Sequence, residues 1–367
     1  MSLIPAQKLA SADKILFIAH LAIGDFTYLQ NCFKAFAEAY PHLKIHLWID
    51  EVRRTPDETK WGYLKQYALY DWAESCPFFA KVYRRTYSPA LLKESIAEAQ
   101  CEHYPLVVSL ATLRPHQYAA LAREVGPEAW VVGMRRKPRW FVPADFFAYR
   151  KLDAAFAPFE AFSGYHITDE YADWFRQLSG LDISAQQRFP FVDIPAEWQA
   201  HARRQLKEWG FADASGTKQG GKLVFINPFA KTKKRCWPVD KVADLILALQ
   251  SRPEWRDARF IINATPQEIK QAQQQLASRL PPNTVWFSAQ ESFFELPGVL
   301  QCCDLIISVE TAVMHLANAV HVPVLALMRR KNPEWAPFDK ANSTVITTTR
   351  RSEWVDAITV DQVTGAL

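Results

Sequence analysis

The chain is 367 residues long, which is enough for two domains of ordinary size, and its 49% hydrophobic and 22% charged content is typical of a soluble globular protein. Its apolar runs are all shorter than the ~20 residues that a membrane span needs, and residues 1–14 lack the apolar core of a signal peptide. The net charge of +4 gives no sign of nucleic-acid binding, and six cysteines without a CxxC pair indicate a reduced, cytosolic protein.

The first half of the chain alternates predicted strands with predicted helices. Residues 14–19 predict a strand, which is followed by a helix from about 26 to 40. The later elements are predicted strands over 43–49, 106–110 and 129–132 and predicted helices over 61–73, 89–100 and 116–125. Strands that alternate with helices are typical of a parallel sheet covered by helices, so we expect an α/β fold.

Asp25 lies in the turn between the first predicted strand and helix, directly after Gly24. Asp is a common helix N-cap and Gly permits a tight turn, so these residue types alone favour a structural role. A carboxylate here could also take the proton from a hydroxyl group that attacks a substrate. The helix dipole should lower the pKa of Asp25 and weaken it as a base, so positioning would have to contribute much of any catalytic effect.

A basic and aromatic segment follows the last predicted strand of this half. Residues 133–151 contain six Lys or Arg and one Asp, interleaved with aromatic side chains such as Trp140 and Phe141. Such a segment fits an anionic, amphiphilic ligand at a membrane surface, although an ordinary solvated surface can have the same composition. The candidate binding residues are Arg135, Arg136, Lys137 and Arg139.

The composition changes at residues 213–221, which are rich in Gly, Ser, Thr and Lys and predict a linker. We therefore expect a first domain over 1–212, a second over 222–350 and a terminal helix over 351–367. The second domain has predicted strands over 223–226, 259–263 and 284–287 and predicted helices over 239–250, 266–280 and 293–301. Two such domains suggest a cleft between them, and ligands of open α/β sheets bind beyond the carboxyl ends of strands.

A strongly basic stretch follows the first strand of the second domain. Four of the five residues from Lys231 to Arg235 are cations, and Trp237 and Pro238 come next, where a helix begins. A charge run is usually a solvated loop. Its place at the carboxyl end of a strand nevertheless favours contact with a diphosphate, and the guanidinium of Arg235 can bind two phosphate oxygens at once.

Residues 304–328 predict a strand, a helix and a second strand. The first strand covers 305–309, apolar residues then recur at helical spacing, Pro323 ends the helix, and a strand follows over 324–327. The helix begins near Thr311, and a helix start is a ready anion site because its N–H groups and its dipole both favour negative charge. The carboxylate of Glu310 counts against an anion there, so an ordinary capped helix is the alternative.

An acidic residue, Thr, a small residue and then His-Leu-Ala after a strand resemble the donor-site signature of glycosyltransferase family 9, the bacterial heptosyltransferases. The usual Asp-Thr-Gly of the family is Glu310, Thr311 and Ala312 here, and residues 328–330 replace its usual Gly-Pro-Thr-like turn. The resemblance implies the GT-B fold: two Rossmann-like α/β domains that face each other across a cleft. The first would bind the acceptor and the second the nucleotide sugar.

The resemblance also implies roles for individual residues. Asp25 would be the general base, and Arg235, two residues before the Trp-Pro pair, would contact the donor phosphates. Glu268 could accept hydrogen bonds from ribose, or it could simply favour the start of its helix. The donor-binding residues implied are Thr232, Lys234, Arg235, Glu268, Glu310, Thr311, Ala312 and His315.

The activity implied is an inverting, metal-independent transfer of heptose from ADP-heptose to a hydroxyl of the lipopolysaccharide core, on Kdo or heptose. The acceptor would be carried on a lipid A precursor, so we expect a cytosolic enzyme that is peripheral at the inner face of the inner membrane. No metal is expected, because the sequence has no Asp-x-Asp and no metal-ligand spacing. No cofactor is expected beside the nucleotide-sugar substrate, and no nucleic-acid partner is expected because the net charge is only +4. The alternatives are a family 9 enzyme with another nucleotide sugar and a catalytically silent nucleotide-sugar-binding protein.

Overall fold

The computed structural model describes residues 2–50, 54–65, 68–136, 147–213, 219–276 and 279–367. The chain divides into two compact units, Met1–Arg188 and Phe189–Leu367. Each unit is a parallel sheet with helices packed on it, so each has a hydrophobic core of its own.

The first unit is built on strands that are mostly buried runs of Ile, Val, Leu and Phe, as expected for a parallel sheet that is covered on both faces. Its strands in the described ranges are β1 (Lys14–Ala19), β2 (Lys44–Ile49), β3 (Phe79–Tyr83), β4 (Leu106–Ser109), β5 (Trp130–Gly133) and β6 (Ala154–Ala155). Its helices there are α1 (Ala6–Ser11), α2 (Ile23–Ala39), α3 (Trp61–Lys65), α4 (Ala68–Ser75), α5 (Pro89–Cys101), α6 (Pro115–Val125) and α7 (Ile167–Ser179).

The second unit repeats the same plan. Its strands in the described ranges are β7 (Leu223–Asn227), β8 (Arg259–Asn263), β9 (Thr284–Phe287), β10 (Leu305–Val309), β11 (Val324–Met328) and β12 (Ser343–Thr347). Its helices there are α8 (Ala196–Glu208), α9 (Val239–Gln250), α10 (Pro266–Leu276), α11 (Glu295–Leu300), α12 (Ala312–Ala319) and α13 (Val360–Gly365).

Both sheets have the same strand order, which is β3-β2-β1-β4-β5-β6 in the first unit and β9-β8-β7-β10-β11-β12 in the second. Neighbouring strands are parallel, and β1, for example, pairs with β2 from Lys14–Lys44 to Ala19–Ile49. This is the Rossmann order 3-2-1-4-5-6, which confirms the predicted α/β class. The strands are added in one direction from β1 to β3 and in the opposite direction from β4 to β6, and the second sheet repeats this from β7 and β10. Each sheet therefore has a topological switch point, between β1 and β4 and between β7 and β10, which is where such sheets bind ligands.

The division between the units falls before the linker that the composition predicts at 213–221. Helix α8 precedes that stretch and packs on α11 in the second unit, where a Cβ at Gly298 would lie 3.1 Å from the carbonyl oxygen of Trp198. Residues 189–212 therefore belong to the second unit. The change of composition at 213–221 therefore falls inside the second unit, and residues 214–218 lie outside the described ranges.

The C-terminal residues form a shorter helix than the one predicted over 351–367. A 3-10 turn covers Val355–Ala357, and α13 begins only after Thr359. The hydroxyl of Thr359 accepts a hydrogen bond from the N–H of Gln362 (3.2 Å), and the Gln362 side chain accepts one from the N–H of Thr359 (2.8 Å). This reciprocal cap fixes the start of α13, which packs on α9.

Trp237 anchors the basic loop that follows β7. Its side chain is fully buried in the core of the second unit, and its indole N–H donates to the carbonyl oxygen of Ile358 (3.0 Å). Its backbone N–H donates to the carbonyl oxygen of Pro228 (2.8 Å), which closes the base of the loop. The cationic residues among 231–235 therefore lie on a loop whose end is held in place by the two hydrogen bonds of Trp237.

Candidate functional site

A network of polar side chains joins the carboxyl ends of β7, β8 and β10. Asn227 Nδ2 donates to Thr311 Oγ1 (2.9 Å) and to Ser308 Oγ (3.1 Å). Asn263 Nδ2 in turn donates to Asn227 Oδ1 (2.8 Å). Because Asn227 and Ser308 are buried, these bonds form at low dielectric and hold the three strand ends together. The network orients Thr311 at the switch point of the second sheet.

Sequence reasoning missed this network. The available signal was an Asn as the last residue of two strands, Asn227 in β7 and Asn263 in β8, where it directly follows a run of buried apolar residues. A polar residue that ends a buried parallel strand must find a partner at that edge, because burying it unpaired is costly.

Thr311 is the N-cap of α12, as the sequence predicts. Its Oγ1 accepts a hydrogen bond from the N–H of Val313 (3.3 Å), and Ala312 is the first residue of the helix. The cap satisfies one of the N–H groups that a helix start leaves without a partner inside the helix. The remaining dipole still favours an anion beside this turn.

Glu310 is buried between the end of β10 and the start of α12, with 5% of its side chain exposed, and it pairs with two arginines. Arg329 Nε lies 3.3 Å from Glu310 Oε2, and Arg329 Nη2 lies 3.4 Å from Oε1. Arg235 Nη2 lies 3.5 Å from Oε1. A buried carboxylate needs such partners because its desolvation is otherwise uncompensated. Glu310, the acidic residue beside the predicted anion site, is therefore paired with Arg329 and Arg235.

The basic loop lies at the carboxyl edge of the second sheet. Thr232 is exposed and precedes a 3-10 turn over Lys233–Arg235, in which the N–H of Arg235 donates to the carbonyl oxygen of Thr232 (2.9 Å). Lys234 is exposed, and its Nζ lies 5.8 Å from the centre of the Trp354 ring. We call Lys231, Lys233, Lys234 and Arg235 the basic rim. It lies at the same sheet edge as Thr311, because β7 and β10 are parallel neighbours.

His315 and Glu268 have structural partners of their own. His315 is 4% exposed, and its ring centre lies 5.9 Å from that of Trp335. The Glu268 carboxylate accepts a hydrogen bond from the N–H of Thr265 (2.8 Å), while Thr265 Oγ1 accepts from the N–H of Glu268 (3.3 Å). This is a capping box at the start of α10, the helix-favouring role considered for Glu268.

Asp25 lies in the first turn of α2, at the switch point of the first sheet. The helix begins at Ile23, earlier than the sequence predicts, and Asp25 Oδ2 accepts a hydrogen bond from the N–H of Ala22 (3.2 Å). The hydroxyl of Tyr171, on α7, donates to Asp25 Oδ1 (3.0 Å). Sequence reasoning missed Tyr171, because it lies 146 positions further along the chain.

The pKa of Asp25 is shifted in the direction opposite to our expectation. Burial raises it above the usual value of 3.8, although the hydrogen bonds from Tyr171 and Ala22 and the charge of His20 lower it. The prediction of a pKa lowered by the helix dipole was therefore wrong, because desolvation of the carboxylate is the larger effect. A carboxyl with a raised pKa is a stronger base once ionised, as a general base requires.

A second buried cluster lies at the same edge of the first sheet, after β2. Asp50 is 3% exposed and accepts hydrogen bonds from the hydroxyl of Tyr118 (2.6 Å) and from the guanidinium of Arg54. Its carbonyl oxygen lies 3.2 Å from His20 Nδ1, just after β1. The cluster ties the loop after β1, which leads to Asp25, to the end of β2. No sequence pattern pointed to it.

The basic and aromatic segment is described only in part. Arg135 and Arg136 follow β5 and are exposed, and the N–H of Arg136 lies within hydrogen-bonding distance of the Tyr149 hydroxyl (3.4 Å). Lys137 and Arg139, the other two candidate acceptor-binding residues, lie outside the described ranges. β5 belongs to the same parallel sheet as β1, so Arg135 follows a strand at the edge that also carries Asp25.

In the part of the chain that the structure describes, no group of three or more His, Cys, Asp or Glu side chains could hold a metal ion. No helix among the same residues is long and apolar enough to cross a membrane.

The model of glycosyltransferase family 9 (heptosyltransferase) matches residues 127–357, which is more than half of the chain. A search of curated proteins finds no match. Solved structures with the same fold include a glycosyltransferase family 9 protein from Veillonella parvula DSM 2008, at 18% identity and a TM-score of 0.75 over 96% of each chain. The Escherichia coli ADP-heptose lps heptosyltransferase II has 14% identity and a TM-score of 0.66, with 95% of this chain and 96% of that chain covered.

A further solved structure, the Escherichia coli heptosyltransferase WaaC with ADP-2-deoxy-2-fluoro heptose, has 15% identity and a TM-score of 0.62 over 96% of this chain and 98% of that one. These similarities confirm the GT-B fold with its two Rossmann-like sheets. Together, the family match and the fold establish that the chain belongs to glycosyltransferase family 9, the heptosyltransferases.

Proposed function

We propose that this glycosyltransferase transfers heptose with inversion from ADP-heptose to a hydroxyl of the lipopolysaccharide core, without a metal ion. The observation that carries the proposal is the basic rim beside a capped helix start, at the switch point of the second sheet. Guanidinium and ammonium groups together with a helix N-terminus are suited to a diphosphate. The relatives support the choice of donor, since one solved heptosyltransferase holds an ADP-heptose analogue.

The leaving group is the chemical reason for a cationic site. When the bond to the anomeric carbon breaks, negative charge develops on the terminal phosphate of the nucleotide. Arg235, the lysines of the basic rim and the dipole of α12 would stabilise that charge in the place of a divalent cation. Thr311 would hold the helix start in position, because Asn227 and Val313 both bond to its hydroxyl oxygen.

Asp25 would act as the general base. It would accept the proton of the acceptor hydroxyl as the oxygen attacks the anomeric carbon on the face opposite the leaving diphosphate, which inverts that centre. Its raised pKa and the hydrogen bonds that fix both carboxylate oxygens suit this role. The acceptor would be a core hydroxyl on Kdo or heptose of a lipid A precursor, held at the cytosolic face of the inner membrane.

The proposal is tested by incubating the protein with ADP-heptose and a Kdo-bearing lipid A acceptor and measuring ADP release and the glycosylated product. We expect ADP release that depends on the acceptor. UDP- and GDP-linked sugars serve as comparison donors, and a preference for one of them would indicate another family 9 activity. Tight binding of a nucleotide sugar without any product would identify a catalytically silent binding protein.

The same assay tests the metal-free mechanism. We expect full activity in the presence of EDTA, because the protein would supply the positive charge from its own side chains. Loss of activity with EDTA that is restored specifically by magnesium or manganese would contradict this mechanism.

Arg135 and Arg136 are proposed to attract the anionic acceptor. Replacing both by alanine should raise the apparent KM for the acceptor several-fold and weaken its dependence on salt, because exposed charges act through screened attraction. Binding to anionic vesicles should fall by about 1 kcal/mol for each charge near the surface. The donor Kd should not change.

The control for that variant is the exposed pair Arg203 and Arg204 on α8, because the same replacement removes equal charge from another surface. If the acceptor kinetics are unchanged in the Arg135 and Arg136 variant, or change by the same amount in the control, Arg135 and Arg136 do not bind the acceptor.

A further inference from the structure

Two of the departures of this chain from the family pattern contact each other. Glu310 stands where the family usually has Asp, and Arg329 stands in the turn where it usually has a Gly-Pro-Thr-like sequence. In the structure, the guanidinium of Arg329 makes two contacts with the Glu310 carboxylate, at 3.3 and 3.4 Å. The backbone N–H of Arg329 adds a third at 3.4 Å. The unusual acid and the unusual arginine thus form one ion pair.

The two arginines beside Glu310 differ in how firmly they are held. Arg329 directly follows β11, and 13% of its side chain is exposed, whereas 39% of the Arg235 side chain is exposed and it makes a single ion-pair contact of 3.5 Å. Arg329 makes three contacts with the same carboxylate, two from its guanidinium and one from its backbone N–H. Arg329 is therefore the fixed partner of Glu310, and Arg235 is the partner that can turn towards a ligand.

Charge balance explains why the fixed partner matters. A buried carboxylate left without a cation costs several kcal/mol, so a lone Arg235 would be retained by Glu310. With Arg329 in place, Arg235 can move to a phosphate while Glu310 stays paired. The three side chains carry a net charge of +1 with Arg329, and would carry none without it.

We propose that Arg329 is a positioning residue of the donor site: it neutralises Glu310 and so frees Arg235 for the donor diphosphate. This inference rests on the proposed function, because it needs a nucleotide diphosphate at the basic rim. The affinity for that diphosphate then follows the net charge of the three side chains.

The test is a double-mutant cycle with ADP as the probe, in which the Kd is measured for the wild-type protein, Arg329→Met, Glu310→Gln and the double variant. Methionine keeps much of the apolar stem of arginine without its charge. We expect ADP to bind about tenfold more weakly to Arg329→Met and about threefold more tightly to Glu310→Gln, with the double variant close to wild type; tenfold corresponds to ~1.4 kcal/mol. Recovery of ADP affinity when Glu310→Gln is added to Arg329→Met indicates that Arg329 acts through Glu310. If Arg329→Met had damaged the fold, the loss of affinity would remain or increase in the double variant.

The matched control is Arg330→Met. Arg330 is the next residue, is exposed, and donates to the carbonyl oxygen of Thr349 (3.1 Å). We expect its ADP affinity to stay within about twofold of wild type, because its guanidinium is engaged away from Glu310. If Arg329→Met does not fold, two other variants test the inference. Glu310→Gln should bind ADP more tightly than the wild-type protein, and Arg329→Lys, which keeps the charge, should bind ADP almost as the wild-type protein does.

Three results would overturn the inference: Arg329→Met binding ADP as wild type does, a loss that Glu310→Gln does not rescue, or Glu310→Gln alone weakening ADP binding. Failure of the proposed function is recognised separately and earlier. In that case the wild-type protein itself would bind neither ADP nor UDP or GDP, before any variant is compared.

Discussion

Replacing Asp25 by asparagine is expected to lower turnover by ~100-fold or more, the scale on which a lost general base reduces rate. Asparagine has nearly the shape of aspartate, and its single amide oxygen can keep one of the two hydrogen bonds that the carboxylate accepts, from Tyr171 or from Ala22. It cannot take up the proton of an attacking hydroxyl. The ADP Kd should stay unchanged, because the phosphates are assigned to the second unit. If the turnover of Asp25→Asn is close to that of the wild-type protein, Asp25 is not the general base and its role is to cap the helix.

The pH dependence offers an independent check on Asp25. A general base works only when ionised, so the rate should fall as the pH decreases through the raised pKa of Asp25, above the 3.8 of an ordinary Asp. Tyr171→Phe removes a hydrogen bond that lowers this pKa, so the acid limb should move to higher pH. If the fall in rate at low pH occurs at the same pH in Tyr171→Phe as in the wild-type protein, the group that titrates is not Asp25.

The sequence predicted best where one local pattern decides the structure. Residues 305–328 form a strand, a capped helix and a strand with almost the predicted bounds, because β-branched runs, an N-cap and helical spacing agree there. Strands β3, β6 and β12 were not predicted. β6 has only two residues, and β12 is an edge strand with exposed residues, so neither has the buried apolar run that marks a parallel strand.

The contacts that build the site could not be predicted from the sequence, because they join distant positions. Asn227 and Thr311 are 84 positions apart, and Asp25 and Tyr171 are 146 apart. Each donor or acceptor has many possible partners, and only the packed sheet selects one. The pKa of Asp25 was predicted in the wrong direction for the same reason, since the helix dipole is visible in the sequence and the degree of burial is not.

Arg235 is expected to be the strongest single contributor to donor binding. It combines the fork geometry of a guanidinium, which suits two phosphate oxygens, with partial exposure at the switch point of the second sheet. The lysines of the basic rim are compact point charges on exposed, flexible stems, so each should contribute less. In the free protein Arg235 pairs loosely with Glu310, and the diphosphate offers it more oxygens than that single contact provides.

Arg235→Ala should therefore weaken ADP binding by about 1.5–3 kcal/mol, the range for hydrogen bonds to charged groups, which corresponds to roughly a 10- to 150-fold rise in the Kd. Adenosine has no phosphates, so its affinity should be equal for both proteins. Arg256→Ala is the control, because it removes the same charge from an exposed site just before β8, at the opposite edge of the sheet. Isothermal calorimetry with both ligands separates the outcomes. If adenosine binding falls as much as ADP binding, or if Arg256→Ala loses as much ADP affinity as Arg235→Ala, Arg235 does not bind the diphosphate directly.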